Sequence, residues 1–359
     1  MKKNNKIKGI ISLILLAAGV ILLLISRLSE NFSQWYSTHL YQVWVNIAGR
    51  FMNLFHFSAA EVMLYLLILV FVFSLVFLII RLILKKAGSA QIGSWFSNLF
   101  LTAVILFFLY VLNCGINYYR ISFSNSSDIQ AVEYTAGELT EICRWLTVEV
   151  NDRADEMIRD EAGVMQLTDS AETKAPAVME ALGEEYPELK GYYPKPKGLI
   201  IPWILSIQHL SGVYSPFTIE ANYNSGMTDY HVPFTVCHEL SHLRGFLQEE
   251  EANFIAFLAC IKADDEQFQY SGYLSGWTYC MNVLYQVDYE AWEEVRAELD
   301  SAVEPDLKAN REFWLQYDGR VAEAANQVND TYLKANGQKN GVNSYSHMVD
   351  LIAGYYLEN

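Results

Sequence analysis

The chain has 359 residues, 52% of them apolar and only 18% charged, and a formal net charge of −16. That pairing of high apolar content with strong acidity excludes an ordinary soluble domain. The charge is also unevenly placed: residues 1 to 120 hold ten basic and two acidic residues, net +8, and the remainder fifteen and thirty-nine, net −24. An acidic part of this size excludes nucleic acid as a partner, because phosphate binding needs clustered cations.

Three runs in the basic part are long enough to cross a bilayer, which takes about 20 mostly apolar residues. They are "IISLILLAAGVILLLIS" from Ile10, "VMLYLLILVFVFSLVFLIIRLIL" from Val62 and "WFSNLFLTAVILFFLYVLNCGI" from Trp95. They predict transmembrane helices at about 8–27, 62–84 and 95–116. The first run follows a basic segment, Lys2 to Lys8, but its apolar core is long and no small-residue cleavage site follows, so it reads as an uncleaved anchor. Between the first two spans, Trp35, Leu40, Val43, Trp44, Ile47 and Phe51 recur at helical spacing, which predicts an interfacial helix at about 32–55 lying on the lipid bilayer. Basic residues gather before span one and between spans two and three. The positive-inside rule then sets the N-terminus in the cytoplasm and everything after Arg120 outside it, in a multi-pass protein of the cell membrane.

A polar stretch, "SFSNSSDIQ", separates this membrane part, 1–120, from a second part, 121–359. Residues Ala136 to Ala162 have a helical pattern with Leu139, Ile142, Leu146 and Val150 as its core stripe. The segment from Gly198 to Asn224 carries the most strand character, with an edge strand expected within "SPFTIEANYN". Helical patterns dominate from Pro233 to the C-terminus. The five cysteines show no CxxC spacing and read as buried thiols.

The chemistry centres on "PFTVCHELSHLRGFLQEEEANFIAFLAC", Pro233 to Cys260. Pro233 suits a first helical turn and Gly245 a C-terminal stop. On the helix between them His238 and His242, four apart, share a face, while Val236, Leu240 and Leu243 turn to the core. Two imidazoles on one face suit one Zn2+, with Glu239 beside it as general base. A third ligand is available from the acid-led helix that follows: Glu249 shares a face with Asn253, and Glu251 is its rival. Three glutamates at a helix start also satisfy the helix dipole without any metal.

"HELSH" with a downstream "E-x-x-A-N" resembles the gluzincin group of zinc peptidases, which includes thermolysin and membrane-bound zinc peptidases. The longer string, behind "GVYSPFTIEANYN" and three spans, is similar to a bacterial membrane-protein family of unknown function. The resemblance implies metal ligation by His238, His242 and Glu249, with Glu239 as base and Asn253 supporting a ligating histidine. It also implies an edge strand to which an extended peptide adds, here with Glu220 and Asn224 as contacts, and an oxyanion donor. Tyr332, Tyr345 and His347 near the C-terminus are the candidates for that donor, and His231 reads as a turn residue. The interval from His242 to Glu249 is shorter than in the better-known gluzincins and demands a tight turn at Gly245.

The fold expected is therefore mainly α: three N-terminal transmembrane helices followed by an α+β zincin-like, extracytoplasmic domain. The function expected is a membrane-anchored zinc metallopeptidase acting on peptide or protein substrates of the cell envelope or outside the cell. The alternative is a non-catalytic cell-envelope binding module with a structural metal or none.

Overall fold

The computed structural model describes residues 2–338 and 347–358. The chain is mainly helical, and three of its helices are long and apolar enough to cross a membrane. These are α1 (Lys2–Leu28), α2 (Ala59–Ile83) and α3 (Ser89–Tyr110), which runs on through a π turn, Val111–Gly115. α1 and α3 lie side by side and parallel. Small residues allow that approach: a Cβ on Gly19 would stand 2.8 Å from the Phe107 ring, and one on Gly115 2.9 Å from Leu23.

The run 30–52 is helical but not uniform, with two π turns, Tyr36–Leu40 and Val45–Gly49. Its buried residues are Ser33, Ser37, Tyr41, Val45 and Gly49, a strict spacing of four. In an ideal α-helix that spacing drifts by about 40° per step. The wider π turns absorb the drift and keep one face inward. Trp35, Leu40, Val43, Trp44, Ile47 and Phe51 are left exposed on the other face.

Beyond residue 120, α4 (Ala136–Ala154) starts on a capping box between Thr135 and Glu138 and buries Leu139, Ile142, Leu146 and Val150. It stops eight residues before Ala162, where the sequence pattern places its end. The carboxylate of Asp160 takes the N–H groups of Ala162 and Val164, and Gly163 adopts φ +82°, a turn that competes with helix. α5 (Ala171–Glu185) and the crossing helices α6 (Val232–Leu243), α7 (Glu249–Ile261) and α8 (Glu266–Val287) complete the core. α9 (Tyr289–Ala297), α10 (Glu304–Leu315), α11 (Arg320–Ala335) and α12 (Met348–Glu358) follow. All five cysteines are buried free thiols.

A small sheet has the order β1 (Lys197–Gly198), β3 (Glu220–Tyr223), β2 (Gly212–Ser215), with β3 parallel to β1 and antiparallel to β2. This corrects the expectation of an edge strand in "SPFTIEANYN". β3 is central, flanked by β1 and β2, and the edges are β1 and the preceding β2. Glu220 accordingly serves the helix α2. It accepts hydrogen bonds from the first-turn amides of Ala59 and Ala60 and pairs with buried Lys197. Asn224 is buried too, bonded to Ser206 and the Leu210 carbonyl.

Candidate metal centre

α6 presents its two histidines because of how it begins and ends. Pro233 occupies its first turn, where a missing N–H costs nothing. At the other end Gly245 takes φ +101°, and the Phe246 amide bonds back to the Ser241 carbonyl 3.1 Å away. This is a Schellman turn, which glycine permits because it lacks a Cβ. The same turn brings the Phe246 carbonyl to His242, whose Nδ1–H donates to it at 2.8 Å. In the neutral ring that bond puts the proton on Nδ1 and leaves Nε2 as the ligating atom, the outer contact that metal-ligating histidines usually have.

The tight turn also swings α7 across α6. Glu249, in the first turn of α7, places Oε2 3.4 Å from His238 Nε2 and 3.7 Å from His242 Nε2. The ligand atoms of the three residues all lie within 4.8 Å of one another. Bonds of 2.0–2.1 Å arranged tetrahedrally about one zinc would separate neighbouring ligand atoms by ~3.3 Å. The two Glu249–imidazole separations are close to that value, and two imidazoles with a carboxylate are a donor set that could hold the ion. Burial alone would raise the Glu249 carboxyl, but the His242 and His238 rings outweigh it and hold the group well below the usual carboxylate range. Burial likewise opposes the charge on His242, and the Glu249 carboxylate overcomes it, lifting the imidazole to about 9.

Glu251 goes elsewhere. Its carboxylate accepts from the Phe123 amide and from the amide and hydroxyl of Ser124, closing the first turn of the short helix Phe123–Ser126. Burial and the neighbouring His242 lower the His238 imidazole, with Glu249 and the adjacent Asn253 side chain acting against the shift. His238 Nδ1 and Asn253 Nδ2 are both buried without a hydrogen-bond partner.

Glu239 faces a cleft of about 420 Å³ that the cluster shares with β2. Burial pushes its carboxyl up to about 8, with the His242 ring and then the Tyr214 backbone amide of β2 acting against the shift. Gly212 makes the room: a Cβ there would fall 2.4 Å from Glu239 Oε1.

The three oxyanion candidates part company. Tyr332 lines the cleft, its hydroxyl 3.4 Å from Cys114 Sγ. His347 stands at the start of α12 with Nδ1 2.9 Å from Asp350 and is not among the residues lining the cleft. Tyr345 falls outside the described residues. His231, read from sequence as a turn residue, does lie in a 3-10 turn, Asp229–His231, but also lines the cleft. Burial lowers it to about 4, so the ring is neutral near pH 7.

Sequence reasoning missed several walls of the cleft. Tyr279 comes from α8, Tyr110 and Cys114 from the end of α3, a helix assigned to the membrane, and Tyr118 from the 3-10 turn Asn117–Tyr119 that follows it. Their spacing of four, on an otherwise apolar helix, is the one signal that marks a shared face.

A family model described as "Protein of unknown function (DUF3810)" matches residues 36–353. No curated protein and no solved structure matches the chain.

Proposed function

The chain belongs to the DUF3810 family, and we propose that it is a membrane-anchored, zinc-dependent metallopeptidase of zincin-like design. The observation that carries this reading is the convergence of His238, His242 and Glu249 at separations that suit one tetrahedral zinc. Bound there, the ion would supply a Lewis acid that polarises a carbonyl and acidifies a water.

The chain's own residues divide the remaining work. Glu239, next in sequence to His238 and buried at the cleft wall, in its ionised form accepts the proton of the attacking water and returns it to the leaving amine nitrogen. The edge strand β2 offers main-chain groups to an extended peptide, and Gly212 lets the peptide and Glu239 approach each other closely. Tyr332, of the three oxyanion candidates the described one that lines the cleft, donates its hydroxyl to the developing oxyanion. His242 is held by the Phe246 carbonyl, and Asn253 is placed to hold His238.

The distribution of charge supports an extracytoplasmic cleft. Lys8, bonded to Asn98, and Arg81, bonded to the Lys86 carbonyl, mark the end of the spans away from the cleft, and the positive-inside rule sets that end in the cytoplasm.

The test is hydrolysis of a fluorogenic peptide library by the zinc-loaded full chain in detergent, beside Glu239→Gln. The substitution is expected to lower turnover by about 10³-fold or more while zinc stays bound. Turnover unchanged in that variant would overturn the assignment.

A further inference from the structure

The cleft sits at the level where the apolar helices end. α1 and α3 are tied at one end by Lys8 and Asn98 and at the other by Arg27, whose guanidinium donates to the Tyr119 hydroxyl. The nineteen residue steps from Lys8 to Arg27 rise about 28 Å, close to the thickness of a hydrocarbon core. Cys114, on the cleft wall, adjoins Gly115, which packs on Leu23 inside the uninterrupted apolar run of α1. The floor of the cleft is thus level with the end of the apolar runs and not beyond them.

A second cavity, about 1200 Å³, continues from the first and shares His209, Leu210, Asn329 and Tyr332 with it. Its walls include Trp203, Ile204 and Ile207 on one side and Val321 and Val328 of α11 on the other; Asp318 and Glu323 also line it, and among the described residues no Lys or Arg does. Trp203 and Val328 are 57% and 69% exposed. The loop leading into Trp203 carries Ile200 and Ile201, also exposed, and Glu61 in the first turn of α2 accepts both their amides at 2.8 Å. The groove therefore opens beside the first turn of α2.

Resting on the peptidase reading of the cleft, we propose that this groove takes the membrane-proximal segment of a membrane-anchored polypeptide. The substrate class is then single-span or similarly anchored proteins cut a few residues from the bilayer. Polypeptide is favoured over free lipid because the groove leads to an edge strand with main-chain groups to offer.

The experiment uses the full-length Glu239→Gln chain, zinc-loaded, in phosphatidylcholine nanodiscs. The probe is a peptide with a span of about twenty leucine and alanine residues, followed by a polar tail in which a benzophenone side chain is stepped residue by residue. Labelling is expected to peak within a few residues of the span and to map to 203–207 and 321–332. Trp203→Glu and Val328→Glu, both at exposed positions, should each reduce it by about tenfold with zinc content unchanged, and the same tail without a span should neither label nor compete. Equal labelling by the spanless tail, labelling of lipid in place of peptide, or indifference to both substitutions would overturn the groove. Zinc bound without groove labelling would sink this inference alone; groove labelling in a chain that binds no zinc would sink the peptidase reading alone.

Discussion

Glu249 and Glu251 stand two residues apart on one helix, and their surroundings give them different work. Both were legible from sequence as acids beside "HELSH", but the choice between them was not, because it depends on what lies across from each. Glu249 meets two imidazoles, whereas Glu251 meets backbone amides more than 120 residues away in sequence. Glu251→Ala should retain zinc yet lose on the order of 3 kcal/mol of stability, since it strips a buried carboxylate from three donors; a melt in detergent with zinc analysis reads both. Gly212→Ala should keep zinc and lower hydrolysis by about 10²-fold, because the added methyl displaces the Glu239 carboxylate that acts as base. An unchanged rate in that variant would show that the contact is not part of the reaction.

At the scale of elements, the helices were far more legible than the strands. The spans announce themselves by length and apolarity, and α6 by Pro233, Gly245 and the spacing of its histidines. β2 and β3 are four residues each, too short for period two to mark which of them is the edge, and their order follows from pairing with β1. That is why Glu220 looked like a substrate contact and is instead a cap on α2. Glu220→Ala should destabilise the fold by about 3–5 kcal/mol, because it leaves Lys197 buried without its partner and uncaps the helix. Tyr41 in the bent run donates its hydroxyl to the Leu243 carbonyl at the end of α6 and contacts the Tyr214 hydroxyl, each at 2.8 Å. Tyr41→Phe should cost about 1–3 kcal/mol by orphaning that buried carbonyl, seen as a lower melting temperature.

For the whole molecule, the division at residue 120 that composition suggests is crossed by the site. Tyr110, Cys114 and Tyr118 line the cleft from the end of α3 and the turn after it, Asn113 donates to the Pro216 carbonyl, and Tyr41 and Gln42 hold the end of α6. Such contacts span 100 to 200 residues of chain and leave no local pattern, so sequence reasoning saw two parts where the cleft needs both. Residues 121–359 alone are therefore expected to hold zinc weakly and melt well below the full chain.

The most direct measurement is the zinc content of the purified full chain by mass spectrometry, beside His238→Ala, Glu249→Ala and Glu251→Ala. The account predicts one zinc per chain in the parent and in Glu251→Ala, and its loss in the other two. A folded parent that takes up no zinc after loading, or one that keeps its zinc in Glu249→Ala and loses it in Glu251→Ala, would contradict it.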